Sequence, residues 1–495
     1  MAQTTNFLHA TGSALDKDQL SALLSGLTGT ITFSRDKAPT DIATSPLNAD
    51  GSVVAVIKEQ DATIYAIDGG GVLAPKDCSN LFLVKGHPWQ ATAFDFDGLD
   101  TSNTENMVHM FSKTLAKELR LESLDTSSVT DMNNMFSYAQ ATSIQLDAFN
   151  TSSVTNMSYM FYHAEAEALN LEGFDTSKVT SMNSMFADAQ AKSITLAHFD
   201  TSSVRDMSHM FNHTQAEQLD VSGFDTHNVT QMKYMFAKSQ TSTLDLSHFD
   251  TANVTQMNGM FSEAQAQVLD LSHFDTSKVT DMHFMFSKAC AKSIDLSSFD
   301  TSNITDMSFM FAESQADSLD LGHFNTAKVL DMSSMFYKSQ ATSINLSSFD
   351  TSSVLDMSNM FSEASAEALD LSAFNTARVH DMSNMFASSK ATSINLSSFD
   401  TSNVKWMMNM FYKTQVEALD LSTFLSTNVA SMNQMFAETK ATHVDLRQFD
   451  MQNVHYMFSI FQNSQIKEVL CHAKSDIETI ELFSGGCEGI TFNVQ

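Results

Sequence analysis

Residues 291–315 read Ala-Lys-Ser-Ile-Asp-Leu-Ser-Ser-Phe-Asp-Thr-Ser-Asn-Ile-Thr-Asp-Met-Ser-Phe-Met-Phe-Ala-Glu-Ser-Gln, and the pattern recurs along the chain every 25 residues. The pair Met-Phe marks the register, from Met110-Phe111 and Met135-Phe136 onward to Met435-Phe436, with Ile460-Phe461 as a degenerate last copy. A second methionine stands three residues before each pair, from Met107 to Met457. Of the 32 methionines only Met1, Met408 and Met451 fall outside these two columns, so the methionine richness belongs to the architecture and needs no metal or redox explanation.

Two periods share the repeat. Ile294 and Leu296 alternate with Ser293, Asp295 and Ser297, the mark of a short half-buried strand. Met307, Met310 and Phe311 then follow at i, i+3 and i+4, which predicts one face of a short helix, with Thr305 and Asp306 suited to its start. The corner Asp300-Thr301-Ser302 reads as an Asx turn, a capping role that tolerates Asn150, Asn325 and Asn375 in the same column. Such a strand cannot bury its apolar side alone, so unit must stack on unit. The expected fold is a repeat solenoid with one short parallel strand and one short helix per 25-residue unit. Units also alternate in pairs: Ala-Thr-Ser-Ile-Asn-Leu at 341–346 and 391–396 differs from Ala-Glu-Ala-Leu-Asp-Leu at 366–371.

All four prolines (Pro39, Pro46, Pro75, Pro88) and the run Gly69 to Gly71 precede the array, which places a boundary near residue 90. Residues 1–90 are expected to form a small α+β cap, with a helix over Ser13–Leu24 and strands at 29–34, 52–57, 62–67 and 80–85; a hairpin turn accounts for the glycines. Residues 91–465 then form about fifteen repeats, and 466–495 cap the far end, since open sheet edges invite polymerisation.

Hydrophobic residues make up 43% of the chain and charged residues 17%, yet the formal net charge is −31. That charge disfavours nucleic acid and anionic membrane, and favours cationic partners. The N-terminus has no basic and apolar signal-peptide regions, and no apolar run approaches a membrane span. Cys78, Cys290, Cys471 and Cys487 lack zinc-ligand spacing; a Cys471–Cys487 pair or buried thiols both fit.

The outward strand position forms an acidic column, Asp220, Asp245, Asp270, Asp295 and Asp320, and this is the expected binding face. Hard cations take carboxylate oxygens, so weak divalent-cation binding is one reading. Asn345 and Asn395 continue the column and suit a hydrogen-bonded ladder better, so no metal site and no cofactor are expected. His198, His248, His273 and His323 share another column, read as solvated turn histidines. No nucleophile elbow, zinc-binding His pair or phosphate loop is present, so no catalytic residue is assigned.

The string Leu-Asp-Leu-Ser-His-Phe-Asp-Thr-Ser-Lys-Val-Thr-Asp-Met-His-Phe-Met-Phe at 269–286, repeated with small changes from about 94 to 461, resembles the BspA-like repeat, a divergent branch of the leucine-rich repeats. The resemblance implies a leucine-rich-repeat-like solenoid, an extracellular or cell-surface location and adhesion to protein or glycan partners of a host or another cell. It transfers no catalytic residue. The expected function is non-enzymatic binding or adhesion; the alternative is a structural filament or an intracellular interaction scaffold, cytoplasmic in keeping with the missing export signal.

Overall fold

Ser293–Asp295 is the strand of the repeat quoted above, and it pairs in parallel with Val268–Asp270 one repeat earlier, Leu269 opposite Ile294. These positions come from a computed structural model, which describes residues 14–494 apart from 25, 85–86, 450, 452–453 and 485–486. The same register joins Ser318–Asp320 to Ser343–Asn345, and Ala368–Asp370 to Ser393–Asn395. Earlier in the chain it joins Glu118–Arg120 to Ser143–Gln145, and Ala168–Leu169 to Ser193–Ile194. The pairing is two by two and coincides with the paired alternation of the repeats: leucine sits on the first strand of each pair and isoleucine on the second. Bonds at the coil corners carry the stack across the gaps, as where the Asp317 amide donates to the Lys292 carbonyl at 3.1 Å.

The Met-Phe segment is not a helix. Phe309 has φ 56° and Glu313 φ 56°, and the same two columns are left-handed in coil after coil. A helix needs φ near −63°, so two such residues around Met310-Phe311 forbid it. The amides confirm where the bonds go. Those of Met307, Phe309, Phe311 and Glu313 donate to the next coil, at Asp331, Ser333, Met335 and Tyr337, over 2.6–3.0 Å. Those of Met310, Ala312 and Ser314 turn back three residues within their own coil. The segment is a run of tight turns that forms a second parallel ladder. Among the described residues the α-helices are Lys17–Leu24 and Lys474–Ser484, both outside the repeats. The chain is a β-solenoid of about 16 turns with very little helix, and the expected leucine-rich-repeat-like arrangement of one helix per unit is not found.

The expected core columns are buried: Met310 and Phe311 are fully enclosed and Leu296 is 4% exposed. The phenylalanines stack face to face, Phe286 on Phe311 at 5.4 Å and Phe311 on Phe336 at 5.9 Å. Beside them runs a buried threonine ladder. The Thr376 hydroxyl donates to the Asp400 carbonyl and accepts the Asp400 amide, both at 2.8 Å. The turn threonine is therefore a core residue that joins each coil to the next.

The chain divides into two compact units, Met1–Asp250 and Thr251–Gln495. In the first, the helix Lys17–Leu24 is capped by Asp16, whose Oδ1 accepts the Asp18 and Gln19 amides; Ser13, its expected start, lies outside the described residues. A sheet follows in the order Ser45–Pro46, Val53–Lys58, Asp61–Ala66, Thr30–Ser34, Ala93–Asp95. Thr30–Ser34 is parallel to both neighbours, so Ala93–Asp95 at the start of the array is bonded directly to the N-terminal sheet. Gly69 to Gly71 all have positive φ but make no hairpin: the strand after them, Val72–Leu73, pairs in parallel with Leu99–Asp100. The second unit ends in three parallel strands, His443–Leu446, Glu468–Cys471 and Thr491–Val494. No described helix is long and apolar enough to cross a membrane.

Candidate functional site

Outward positions of the coils form columns, and each column has its own chemistry. The expected acidic column is exposed at Asp220 and Asp245 in the first unit and at Asp270, Asp295 and Asp320 in the second. Each carboxylate closes an Asx turn. Asp270 Oδ1 accepts the Ser272 amide at 3.1 Å and its hydroxyl at 2.7 Å, and Asp220 does the same with Ser222. These donors hold the Asp220 and Asp270 carboxyls below the usual carboxylate range, and for Asp220 they outweigh repulsion from Asp245. At Asp320 the Gly322 amide and then the Asn345 side chain do so. Asn345 donates to Asp320 at 2.8 Å and Asn395 to Asp370 at 3.0 Å, so the asparagines bridge coils and space the charges. At Asp220, Asp270, Asp295 and Asp320 the turn takes Oδ1, and the second oxygen is left for solvent or a partner.

A second acidic column was read in sequence only as a helix start. Asp281, Asp306, Asp331, Asp356 and Asp381 face one another across consecutive parallel bridges beside the Met turns, and all are half-buried. Burial, aided by Asp381 and Asp331, pushes the Asp356 carboxyl up. His283 joins the column at its start: its Nδ1 lies 2.6 Å from Asp281, and Asp281, His283 and Asp306 each offer one ligand atom within 4.8 Å of the others. Such donors suit a divalent cation, although His283 Nδ1 and Asp281 Oδ1 are already engaged with each other.

The left-handed turn columns carry the most varied side chains. In the second unit Glu263, Lys288, Glu313, Lys338 and Glu363 alternate in sign, with Lys288–Glu313 at 3.7 Å and Lys338–Glu363 at 3.5 Å. Phe284 stacks on Phe309 at 4.7 Å. In the first unit Tyr138, Tyr159, Tyr162 and His163 form a surface cluster, Tyr138 lying flat on His163 at 4.7 Å and edge-on to Tyr162 at 5.2 Å. His163 and His213 both approach Asp188, at 3.3 and 2.6 Å. Sequence reading missed this cluster because it combines one column, Tyr138 and His163, with Tyr159 and Tyr162 of neighbouring columns, which the turns of their coil bring together.

Of the expected histidine column, His323 bonds the Leu296 carbonyl at 2.9 Å and His198 lies 3.9 Å from Glu172. Burial pushes the thiols of Cys78 and Cys471 up to about 11, so neither is a thiolate at neutral pH. Gly485 and Gly486, beside Cys487, lie outside the described residues.

The repeats match a family model described as "Mycoplasma protein of unknown function, DUF285", at residues 76–199, 190–295, 265–371, 289–396 and 364–470. Neither a curated protein nor a solved structure matches the chain. The matched segments overlap and together run from 76 to 470, most of the length; the chain belongs to the DUF285 family of Mycoplasma proteins.

Proposed function

We propose that this chain is a non-enzymatic binding protein, adhesin-like in the manner of the BspA-type surface proteins its repeats resemble, that presents the outward columns of its coils to protein or glycan partners at a cell surface. One observation carries the reading. The Met, Phe and Thr columns, which repeat with few changes, are buried, while the outward columns change from coil to coil and gather like chemistry: a run of acids from Asp281 to Asp381, and tyrosines at 138, 159 and 162 that meet across neighbouring columns. The fold asks of the Asp281 to Asp381 positions only an oxygen that caps the turn, as Asp306 does for the Ser308 amide, and Asn156 supplies one in the same column without a charge, so five successive carboxylates are more charge than the turn requires. A regular scaffold with side chains arrayed at one strand spacing suits extended partners.

The face of Asp270, Asp295 and Asp320 is the part suited to basic protein segments, through the carboxylate oxygens its turns do not use. The test is capture of the intact protein on panels of immobilised glycans and basic proteins, beside a variant with Asp270, Asp295 and Asp320 all changed to Asn. Asn keeps each turn and removes the charge, so binding to basic proteins should weaken and lose salt dependence. Unchanged affinity and salt slope would remove the acidic face from the reading. A protein that binds nothing on either panel and assembles into filaments instead would remove the adhesin reading itself.

A further inference from the structure

The half-buried acidic column of the second unit ends at Asp381. The next three bridge positions are Trp406, Ser431 and Tyr456, joined in that order by parallel bridges. The ladder is regular here: the Met407 amide donates to Ser431 at 3.0 Å and the Met432 amide to Tyr456 at 2.8 Å. Trp406 is 42% exposed, Tyr456 54% and Phe458 55%, whereas Ser431 between them is 5% exposed. The column before repeats the arrangement, with Lys405 and His455 exposed on either side of the small Ala430. Two residues on, Asn433 holds the middle place between Met408 and Phe458, and its Oδ1 accepts the Phe458 amide at 2.8 Å. The middle coil is thus small and polar, and its neighbours raise an aromatic wall on each side.

The width of this notch limits its occupant. Trp406 and Tyr456 are two coil rises apart, about 9.6 Å. Contact with each wall takes about 3.5–4.0 Å, so one ring layer fits between them, and an α-helix of about 10–12 Å does not. Elsewhere outward rings of successive coils lie face to face, Phe284 on Phe309 at 4.7 Å and His209 on Tyr234 at 5.1 Å. A ring seated over Ser431 would supply the rung this column lacks. The surrounding charge narrows the chemistry further. Lys405 and His455 are exposed on the two wall coils, Arg378 and His380 are exposed on the coil before Trp406, and none of the four makes an ion pair with a described residue, in a chain whose net charge is −31. The carboxylate that adjoins Trp406 in the bridge column, Asp381, is half-buried and accepts the Ser383 amide at 2.7 Å.

We propose that the notch binds an acidic saccharide: a pyranose over Ser431 between Trp406 and Tyr456, with its carboxylate or sulfate facing Lys405 and the adjacent His380, Arg378 and His455. The C–H bonds of a sugar face are the positive partner for the negative face of an aromatic ring, and the ring hydroxyls find Ser431 and Asn433. The proposal rests on the reading of the chain as a binding protein and gives it a ligand class.

The chain has two tryptophans, and Trp89 is buried at 2% exposure, so a change in emission on adding a ligand reports Trp406. The full protein is titrated with a hyaluronan tetrasaccharide, sialyllactose and sulfated lactose, beside lactose and cellotriose; free indole and a Trp-containing peptide, which fluoresce themselves, are followed by calorimetry. Acidic sugars should shift the emission to the blue and bind about tenfold or more tighter than lactose, as one charge-assisted hydrogen bond provides. Ser431→Tyr, which fills the gap, should abolish the emission response, Trp406→Ala, which removes the reporter, should abolish capture on the glycan panel, and Lys405→Glu should bring acidic sugars down to the neutral level. Melting curves verify that the variants are folded; if Ser431→Tyr is not, the exposed Trp406 and Lys405 positions still decide. Equal binding of neutral and acidic sugars, binding of indole or peptide alone, or no emission change with any sugar overturns the proposal. Capture on the glycan panel that is indifferent to Trp406→Ala overturns this site and leaves the binding reading standing.

Discussion

Replacing Phe311 with alanine tests the architecture at its most repetitive point. The ring is fully buried, 5.4 Å from Phe286 and 5.9 Å from Phe336, with interplanar angles of 9° and 2°. Its removal opens a cavity inside a stack and breaks two ring contacts at once. Phe→Ala in a closed core costs about 3–5 kcal/mol, of which the two contacts account for about 0.5–1.5 kcal/mol each. The position of the loss is as informative as its size. Each coil is bonded to its neighbours, as where the Phe311 amide donates to Met335 and the Phe286 amide to Met310, so the damage should remain near its source. Hydrogen exchange read by peptide mass spectrometry should show amides of the coils carrying Phe286, Phe311 and Phe336 opening about 100-fold faster or more, since each 1.4 kcal/mol is a factor of ten. Coils near Phe411 and Phe436 should keep their protection. Exchange that rises equally through both regions would refute nearest-neighbour coupling, and a loss below about 1 kcal/mol would refute the ladder as a source of stability.

Other consequences follow from the turns and corners. Thr376→Val takes away the partner of the half-buried carbonyl and amide of Asp400 and should lower the urea midpoint by the equivalent of about 1–3 kcal/mol; an unchanged midpoint would show that the threonine ladder is dispensable. Ser388 sits at φ 55°, so Ser388→Gly should stabilise by about 0.5–1 kcal/mol, and destabilisation would contradict a left-handed residue there. The Asp356 carboxyl is raised by burial and its acidic neighbours, so its charge opposes folding at neutral pH; the penalty fades as pH falls through the raised folded value and is gone below the unfolded value of about 3.9. Asp356→Asn should therefore raise the melting temperature at pH 7, and the gain should close towards pH 3. Asp270 has the opposite sign: Ser272 lowers its carboxyl, so its contribution is present above about pH 3.9 and is lost as pH falls through the lower folded value. Asp270→Asn should cost melting temperature at pH 7 and nothing at pH 2.

The register, the buried Met, Phe and Leu columns and the parallel strands were legible because each is a periodic property, and period survives without knowledge of the backbone path. The helix was misread for the same reason. Met307, Met310 and Phe311 face inward at i, i+3 and i+4 on a helix, and they also do so on two successive turns with a left-handed residue before and after the Met-Phe pair. A discriminating signal lay in the neighbouring column, where Gly259, Asn134, Asn359, Asn384 and Asn409 are the residue types that accept positive φ most readily. The apolar pattern is also only five residues long, too short to nucleate a helix without caps.

Site chemistry was less legible, because it depends on which residues meet across coils. The Asp220 to Asp320 column could be read as outward from strand alternation alone, and it is exposed. Its bonding to Ser222, Ser272 and Gly322 could not, since strand alternation does not say that the chain turns at once after Asp. The tyrosine cluster and the Trp406–Ser431–Tyr456 notch show the limit more sharply. Along the chain Trp406 and Tyr456 are fifty residues apart, and nothing local connects them; stacking brings them two rungs apart, with Ser431 between. In a solenoid the binding surface is therefore written across the repeats and not along them. A single substitution on the middle coil can open or close a site whose walls stand on the coils to either side. That property separates the two halves of the design physically: inward columns must agree from coil to coil because each ring or threonine needs its neighbour, and outward columns can change one coil at a time without cost to the core. A scaffold built on these terms can acquire new ligands while keeping its fold.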